Sequence, residues 1–278
     1  VWHCGASDVE LADGTVWARA CPATADEQAA PPLRLGPVER LDLAHADAVL
    51  IRTDPPFDSA YLHLTLLLDH VSNETLVVNA PRGLRDANEK LYACRFPEVT
   101  PPTIVTSDPD RLLEFAREHG AAVLKPIAGH GGRGVMALRP GDDNAPSIID
   151  TLTERGTVAV MAQRFLEKVA AGDKRILLLD GEPLGAVLRI PTRADFRANI
   201  CVGGSTVACE IDDADRRIIE AIAPSLRDDG LIFVGLDVVD GHLTEVNVTS
   251  PTGIRQLAQL AGTRPDVEVI QWLERRVA

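Results

Sequence analysis

Positive charge is what this chain has least of: 28 Lys and Arg face 41 Asp and Glu in 278 residues, a formal net charge of -13. No local run of Lys or Arg offsets the deficit. A surface of that sign is repelled by phosphate backbones and anionic lipid headgroups, which argues against nucleic-acid and membrane partners. Paired cysteines are also lacking. The five present, Cys4, Cys21, Cys94, Cys201 and Cys209, are odd in number and contain no CxxC. That is not the disulfide framework of a secreted domain, and a reducing cytoplasm is expected. Long apolar runs are absent: Leu64 to Leu68 and Leu231 to Leu236 fall far short of the ~20 residues that cross a bilayer as a helix. No charged-then-apolar leader opens the chain, so a secretory signal is not indicated. Three catalytic signatures are missing as well. Without a GK[ST] ending, a GxSxG or an HExxH, P-loop, nucleophile-elbow and zinc-protease chemistry have no support.

What is present is an alternation of strand and helix patterns, long enough for two or three packed units. Asp13-Gly14 marks a hairpin, and the Ala- and Pro-rich stretch Cys21 to Pro37 reads as a surface loop. A strand (Ala48 to Ile51), a helix (Ala60 to His70) and a strand (Thr75 to Asn79) suggest a parallel α/β unit; Pro55 and Pro56 fix an extended exit from its first strand. A helix over Asn88 to Arg95 and a Pro-rich linker come next, then a strand over Thr103 to Thr106. Asp108 as N-cap, Pro109 in the first turn and Gly120 after the last turn bound a helix over Asp110 to His119. Ala121 to Ile127 and Gly134 to Arg139 form a hairpin across a glycine-rich loop. Further along are a helix (Ser147 to Arg155), a strand (Thr157 to Gln163) and a hairpin around Gly181. An amphipathic helix (Asp213 to Asp228), a last strand pair and two C-terminal helices complete the chain.

The last strand pair, Leu231 to Val239 and Leu243 to Val248, is the most informative feature. An acid inside an apolar strand is costly unless something compensates it. With a three-residue loop at Asp240-Gly241-His242, Asp237 falls opposite Glu245, and Asn247 shares their face by the two-residue period. Two carboxylates and an amide oxygen then converge. Hard oxygen donors of this kind suit Mg²⁺.

The second feature is Lys125 and the loop Gly129, Gly131, Gly132 and Gly134. The glycine spacing satisfies GxGxxG, yet a strand rather than a helix follows, so a Rossmann site is not expected. Such a loop can instead fold backbone N–H groups over nucleotide phosphates while the strand lysine adds a point charge. Third, Lys90, Lys174, Arg175, Arg189 and Arg197 supply further cations. Arg189 interrupts an apolar strand and Arg175 opens one, so both are expected to point inward. Phosphoryl transfer needs charges placed around the equatorial oxygens and little else from the protein.

The motifs Asp54-Pro-Pro-Phe-Asp58, Asn88-Glu-Lys90-Leu, Leu124-Lys125-Pro, Met161-Ala-Gln163, Gly172-Asp173-Lys-Arg175, Arg189-Ile-Pro191, Gly230 to Asp237 and Thr244 to Thr252 occur in one order. Together with the glycine-rich loop they resemble the successive motifs of prokaryotic glutathione synthetase, in the ATP-grasp superfamily, from about Val49 to about Arg255. The resemblance implies an α/β ATP-grasp fold preceded by an N-terminal α/β domain. Val1 is not an initiator methionine, and that domain is expected to be truncated at its start, near the family's second strand. Three parts are implied: an N-terminal substrate-side unit over 1–87, a central unit with the glycine-rich loop over 88–165, and a C-terminal unit over 166–278.

The implied chemistry is ATP-dependent joining of γ-glutamylcysteine and glycine through an acyl phosphate, giving glutathione, ADP and phosphate. By the same resemblance Lys90, Lys125, Gly129, Gly131 and Gly132 meet ATP phosphates, Gln163, Phe165 and Leu166 pass the adenine, and Asp173 lies near the ribose. Asp237, Glu245 and Asn247 hold Mg²⁺, with Mn²⁺ as the alternative ion. Arg175, Arg189 and Arg197 face the transferred phosphate, and Asn247, Thr249, Ser250, Pro251 and Thr252 border the peptide. The segment 191–204 corresponds to a lid, less glycine-rich here than in the family pattern. A cytoplasmic homo-oligomer acting on small molecules is expected. Two alternatives share the ATP machinery: a ligase with another amine acceptor, and a non-catalytic nucleotide-binding homologue.

Overall fold

The computed structural model describes residues 1–26, 28–29, 32–71, 74–191 and 205–278. Its first 42 residues form an antiparallel sheet of five strands, β1 (Trp2–His3), β2 (Val9–Ala12), β3 (Thr15–Ala25), β4 (Leu33–Leu35) and β5 (Glu39–Asp42), gathered around β3. Val16, Ala18 and Ala20 turn inward from β3 at the two-residue period. The loop expected over Cys21 to Pro37 is therefore shorter than its composition suggests. β3 runs on to Ala25, and Leu33–Leu35 pairs with Ala23–Ala25. Backbone pairing with little buried side-chain area holds this ribbon, and it leaves no apolar alternation to read.

β6 (Ala48–Leu50) and β7 (Leu76–Val78) pair in parallel on either side of helix α1 (Ser59–Leu68), as the strand, helix, strand order requires. The Asp58 carboxylate caps α1, accepting from the Tyr61 amide at 3.0 Å. A short helix α2 (Pro81–Asp86) follows, but the helix expected over Asn88 to Arg95 is reduced to a 3-10 turn at Tyr92–Arg95. Asn88 Oδ1 accepts from the amides of Lys90 and Leu91 at 3.1 and 3.0 Å. A side chain that bonds its own downstream backbone competes with helix at that point.

The central sheet combines β8 (Thr103–Thr106), β9 (Ala122–Pro126), β10 (Met136–Leu138) and β11 (Val160–Arg164) in the antiparallel order β10-β9-β11-β8. Helices α3 (Pro109–Glu118) and α4 (Ala145–Leu152) bury Leu112, Phe115 and Ile149 against Leu124, Leu138 and Val160. The C-terminal sheet has β12 (Asp173–Leu179), β13 (Glu182–Ile190), β14 (Ser205–Cys209), β15 (Phe233–Val239) and β16 (His242–Asn247), ordered β14-β13-β12-β15-β16. Helix α5 (Asp213–Asp228) lies on it, and α6 (Ile254–Ala261) and α7 (Pro265–Val277) end the chain. One apolar core joins α1 to this sheet, bringing Tyr61 and Leu64 together with Ile222, Leu236 and Val246. Among the described residues no helix is long and apolar enough to cross a membrane.

Three hairpins use the same turn. Ala12 pairs with Thr15, Leu179 with Glu182 and Val239 with His242, leaving Asp13-Gly14, Asp180-Gly181 and Asp240-Gly241 as two-residue loops. All six turn residues have φ between 50° and 81°, the conformation that makes Asp-Gly the favoured pair for a hairpin following the strand twist. The loop after Val239 is thus two residues long, not the three expected.

Asn79, at the end of β7, fastens the N-terminal unit to the C-terminal sheet. Its amide nitrogen donates to Phe233 O and Val248 O at 2.9 and 2.8 Å, and its oxygen accepts from the amides of Ile232 and Phe233 at 2.8 Å each. Every hydrogen-bonding capacity of this buried side chain is used. Asn79→Asp keeps the shape but turns a carboxylate toward two carbonyls, and we expect a loss of about 3 kcal/mol. Urea unfolding of the two proteins checks it, and an unchanged midpoint would remove Asn79 from this role.

Candidate active site

Asp237 and Glu245 are directly opposed across β15 and β16, although the turn that ends the hairpin is not the one expected. A two-residue turn alone would set Asp237 against Thr244. A register shift between Asp237 and Val238 makes up the difference: Val238 pairs with Leu243 and Asp237 with Glu245, leaving Thr244 as the extra residue of a bulge. Thr244 Oγ1 donates to Asp237 O at 3.1 Å, closing the bulge. Asn247 lies opposite Gly235 and donates its amide nitrogen to Gly235 O at 3.3 Å, which leaves the oxygen as the end that can meet a cation.

Asp237 is buried yet fully compensated. Its carboxylate accepts from Arg175 Nε at 2.6 Å and a second Arg175 nitrogen at 3.3 Å, and Arg189 lies at 2.9 Å. Burial alone would push its pKa up, but the two guanidiniums outweigh it and hold the group well below the usual carboxylate range. Asp173, paired with Arg189 at 2.5 Å, goes the other way. Burial raises it to about 6, Asp237 adds to the shift, and Arg189 only partly offsets it. Gly235 makes this packing possible, since a Cβ there would stand 3.1 Å from an Arg175 nitrogen and 3.1 Å from Pro251 Cβ.

Lys90 and Lys125 line, with these acids, a cavity of about 130 Å³. Lys90 reaches Glu245 at 3.3 Å and donates to Gly129 O, which ties the glycine-rich loop to the acidic pair. Lys125 donates to Gln163 Oε1 at 2.6 Å; Gln163 opposes Val123 on the neighbouring strand, two residues from Lys125 and so on its face. Burial lowers the Lys125 pKa and Glu245 pulls it back up.

The cavity lies between the central and C-terminal sheets. Lys90, Lys125, Gly129, Gly131, Gly132, Gln163, Phe165, Leu166, Asp173, Asp237 and Glu245 all line it. Arg175 and Arg189 stand behind Asp237 rather than in the lining. Asn247, the last residue of β16, and Thr249, Ser250, Pro251 and Thr252 on the chain leaving it are also outside the lining; there Arg175 donates to Thr252 O at 3.1 Å. Arg197, with the segment 192–204 in which the lid was expected, lies outside the described residues.

Two residues at the site were not singled out from sequence. Glu89 accepts from the amides of Val248 and Thr249 and from the Thr249 hydroxyl, at 3.1, 3.2 and 2.8 Å. Its only signal was its place between Asn88 and Lys90. Arg164 also lines the cavity, with a buried Nε that has no hydrogen-bond partner among the described residues; its last-of-strand position gave no sign of this.

Two antiparallel sheets that close on one cavity, lysines from one side and carboxylates from the other, make this an ATP-grasp fold. Solved structures agree: the ATP-grasp ligase PsnB complexed with a phosphomimetic minimal precursor, Mg and ADP is 17% identical with TM-score 0.63, over 93% of this chain and 86% of that one. D-alanine–D-alanine ligase from Bacillus anthracis, complexed with ATP, is 18% identical with TM-score 0.57, over 83% and 80%. At such identities they speak for the fold alone.

Sequence relatives narrow the class. The model of the prokaryotic glutathione synthetase ATP-grasp domain matches residues 89–262, and that of the N-terminal domain matches residues 1–85. The glutathione synthetase of Thermosynechococcus vestitus is 48% identical over 283 residues, covering 98% of this chain and 89% of the relative. That of Synechococcus elongatus is 50% identical over 240 residues, covering 86% and 74%. The chain belongs to the prokaryotic glutathione synthetase family, and it is an ATP-dependent carboxylate–amine ligase.

A methyl group at position 235 must displace Arg175 or Pro251. For Gly235→Ala we expect kcat to fall at least tenfold, on the order of the loss from a displaced charge in a preorganised site, with a much smaller change in melting temperature. Steady-state kinetics beside a thermal melt tests it, and an unaltered kcat would show that the packing around Arg175 does not matter.

Proposed function

We propose that the chain joins γ-glutamylcysteine to glycine with ATP, giving glutathione, ADP and phosphate. The observation that carries this is the gathering of Asp237, Glu245, Lys90 and Lys125 around one cavity, with Arg175 and Arg189 held behind the acids. The site supplies charge on both sides of a phosphate chain and no side-chain nucleophile is needed, which suits direct attack of a substrate carboxylate.

In that reaction an oxygen of the cysteinyl carboxylate attacks the γ-phosphorus, and the bond to the ADP oxygen breaks. The glycine amine then attacks the acyl carbon, phosphate leaves, and the amine gives up a proton. Lys90 and Lys125 would hold the phosphates, helped by the backbone N–H groups of Gly129, Gly131 and Gly132. The walls formed by Gln163, Phe165 and Leu166 would take the base, and Asp173 the ribose. Arg175 and Arg189 would stabilise the charge that develops on the transferred phosphoryl group and the acyl phosphate. The chain from Asn247 through Thr252 would border the peptide. Arg197 and the segment around it would shield the acyl phosphate from water.

A divalent ion fits the donor set. Asp237 is held ionised by its guanidinium partners, Glu245 faces it on the cavity wall, and Asn247 presents an oxygen on the same face. These three residues would hold Mg²⁺, or Mn²⁺ as the alternative, which when bound neutralises phosphate charge and leaves the γ-phosphorus open to attack. The three-part division at 1–87, 88–165 and 166–278, a cytoplasmic setting and a homo-oligomeric state belong to the same proposal; the separate central and C-terminal sheets support the first, and the free thiols of the described cysteines, Cys4, Cys21, Cys94 and Cys209, the second.

The test is phosphate release from ATP and Mg²⁺ with γ-glutamylcysteine, comparing glycine with a panel of other amino acids. We expect glycine to be preferred. Preference for another amine overturns the glutathione assignment, and nucleotide binding without turnover points to a non-catalytic homologue. For the ion, Glu245→Gln removes one charge from a partly exposed position. It should raise the Mg²⁺ concentration needed for half-maximal rate about tenfold or more while leaving the fold intact; an unchanged Mg²⁺ dependence would take Glu245 out of the metal site.

A further inference from the structure

Between Gly129 and Gly134 the loop that joins β9 to β10 carries two side chains, His130 and Arg133, and both line the cavity. The base of this loop is fixed. Asn88 donates to Ile127 O at 3.3 Å, Lys90 donates to Gly129 O, and a Cβ at Gly134 would stand 2.8 Å from Pro126 Cγ. Arg133 itself is set by the turns around it. Its amide donates to His130 O at 3.2 Å, and Gly131, Gly132 and Gly134 take φ of 61°, 73° and 70°. Glycine adopts that backbone at no steric cost, so the loop can bend on both sides of the one arginine it holds.

The lysines and arginines of the lining are Lys90, Lys125, Arg133 and Arg164, and all but one of them are engaged. Lys90 pairs with Glu245 at 3.3 Å, Lys125 donates to Gln163 Oε1 at 2.6 Å, and Arg164 approaches His242 Nε2 at 3.5 Å. Among the described residues the Arg133 guanidinium has no hydrogen bond or ion pair, in a chain whose net charge is -13. An exposed arginine is ordinarily a solvated surface charge. This one instead lines a cavity whose other cations are already occupied, and its planar fork of donors matches the oxygens of a phosphate.

Strand register says which phosphate. Gln163, in the wall proposed for the base, opposes Val123, and β9 runs on to Pro126, opposite Val160, before the loop opens. Three residues at ~3.3 Å each put the start of the loop roughly 10 Å from that wall. The tail of the nucleotide therefore lies beneath it, with Lys125 nearer the base and Arg133 farther out. We infer that Arg133 is a further catalytic residue, its guanidinium taking the oxygens of the terminal phosphate and stabilising the charge that develops there during transfer. This rests on the proposed seating of the base against β11 and of the phosphates under the loop. A substrate carboxylate oxygen bonds to the γ-phosphorus, the bond to the ADP oxygen breaks with its electron pair going to ADP, and Arg133 moves no proton.

The test is calorimetric binding of ADP and of the β,γ-imido analogue of ATP, each with Mg²⁺, to wild type, Arg133→Met and Lys125→Met, beside steady-state phosphate release and a thermal melt of each protein. Arg133→Met should weaken the analogue about tenfold or more and leave ADP within about twofold, as expected for one charge-assisted contact to the terminal phosphate. Its kcat at saturating substrates should fall about tenfold or more, with the melt unchanged because the side chain is exposed. Analogue affinity within about twofold of wild type, equal losses for analogue and ADP, or an unchanged kcat overturns the role of Arg133. Lys125→Met separates this from the seating beneath it. If that variant weakens both nucleotides while Arg133→Met behaves as wild type, Arg133 alone is removed. If Lys125→Met leaves both affinities unmoved, the seating of the phosphates fails and the role of Arg133 fails with it.

Discussion

The site depends on keeping one ionised carboxylate, Asp237, inside an apolar sheet. Uncompensated, that group would take up a proton or the strand would leave the core. Arg175 and Arg189 prevent both, one from each neighbouring strand of the hairpin β12–β13, and their presence explains several otherwise separate features. Arg175 stands opposite Asp237 in the strand register, Asp173 stands opposite Arg189, and Gly235 lacks a side chain where Arg175 must lie. Removing one partner of such a buried pair costs more than the pair contributes, because the other charge is left stranded. The cluster is therefore held as a unit, and its geometry is fixed before any substrate arrives.

The same region is gripped from the N-terminal side. Asn79 holds the backbone at Phe233 and Val248, Glu89 holds Val248 and Thr249, Asp54 holds Ser250, and Arg52 holds Pro251. Arg175 reaches Thr252 from within the sheet. The chain from Val248 to Thr252 has no strand partner of its own, so these side chains give it the definition that a ladder of backbone bonds gives a strand. A loop fixed from both sides can place substrate atoms as accurately as a rigid element does.

Much of this was legible in the sequence, and the gaps have physical causes. Asp108, Pro109 and Gly120 bounded α3 because capping is local chemistry, and α5 was found to the residue from Asp213 to Asp228 because its apolar stripe has helical period. The acidic pair was found for the right face and by the wrong turn. Asp240-Gly241 closes a two-residue loop, and the bulge at Thr244 restores the opposition of Asp237 and Glu245. Two errors of one residue cancelled, since a bulge leaves no mark in composition. The helix expected over Asn88 to Arg95 failed because Asn88 bonds its own backbone, and the ribbon over Cys21 to Leu35 was missed because its pairing is carried by main chain. The loop glycines, Lys90, Lys125, Gln163, Phe165, Leu166 and the strand acids were legible through a motif or through a charge set in an apolar strand. Arg52, Glu89 and Arg164 were not singled out, because what distinguishes them is distant neighbours and burial.

The cations show how the site is poised. Among the described contacts Lys90 is bonded to Glu245 and Gly129, and Lys125 to Gln163 with Thr244 O at 3.5 Å. Each lysine is thus held by groups that a phosphate oxygen could replace. For Lys125 exchange is favoured by the environment, since burial lowers its pKa and a phosphate would restore the charged form. The anion side is stricter: Asp237 is locked by two guanidiniums, whereas among the described residues Glu245 pairs only with Lys90. Of the two opposed acids, Asp237 is the more tightly held, and Glu245, partly exposed and paired with Lys90, keeps the freer carboxylate on the cavity wall.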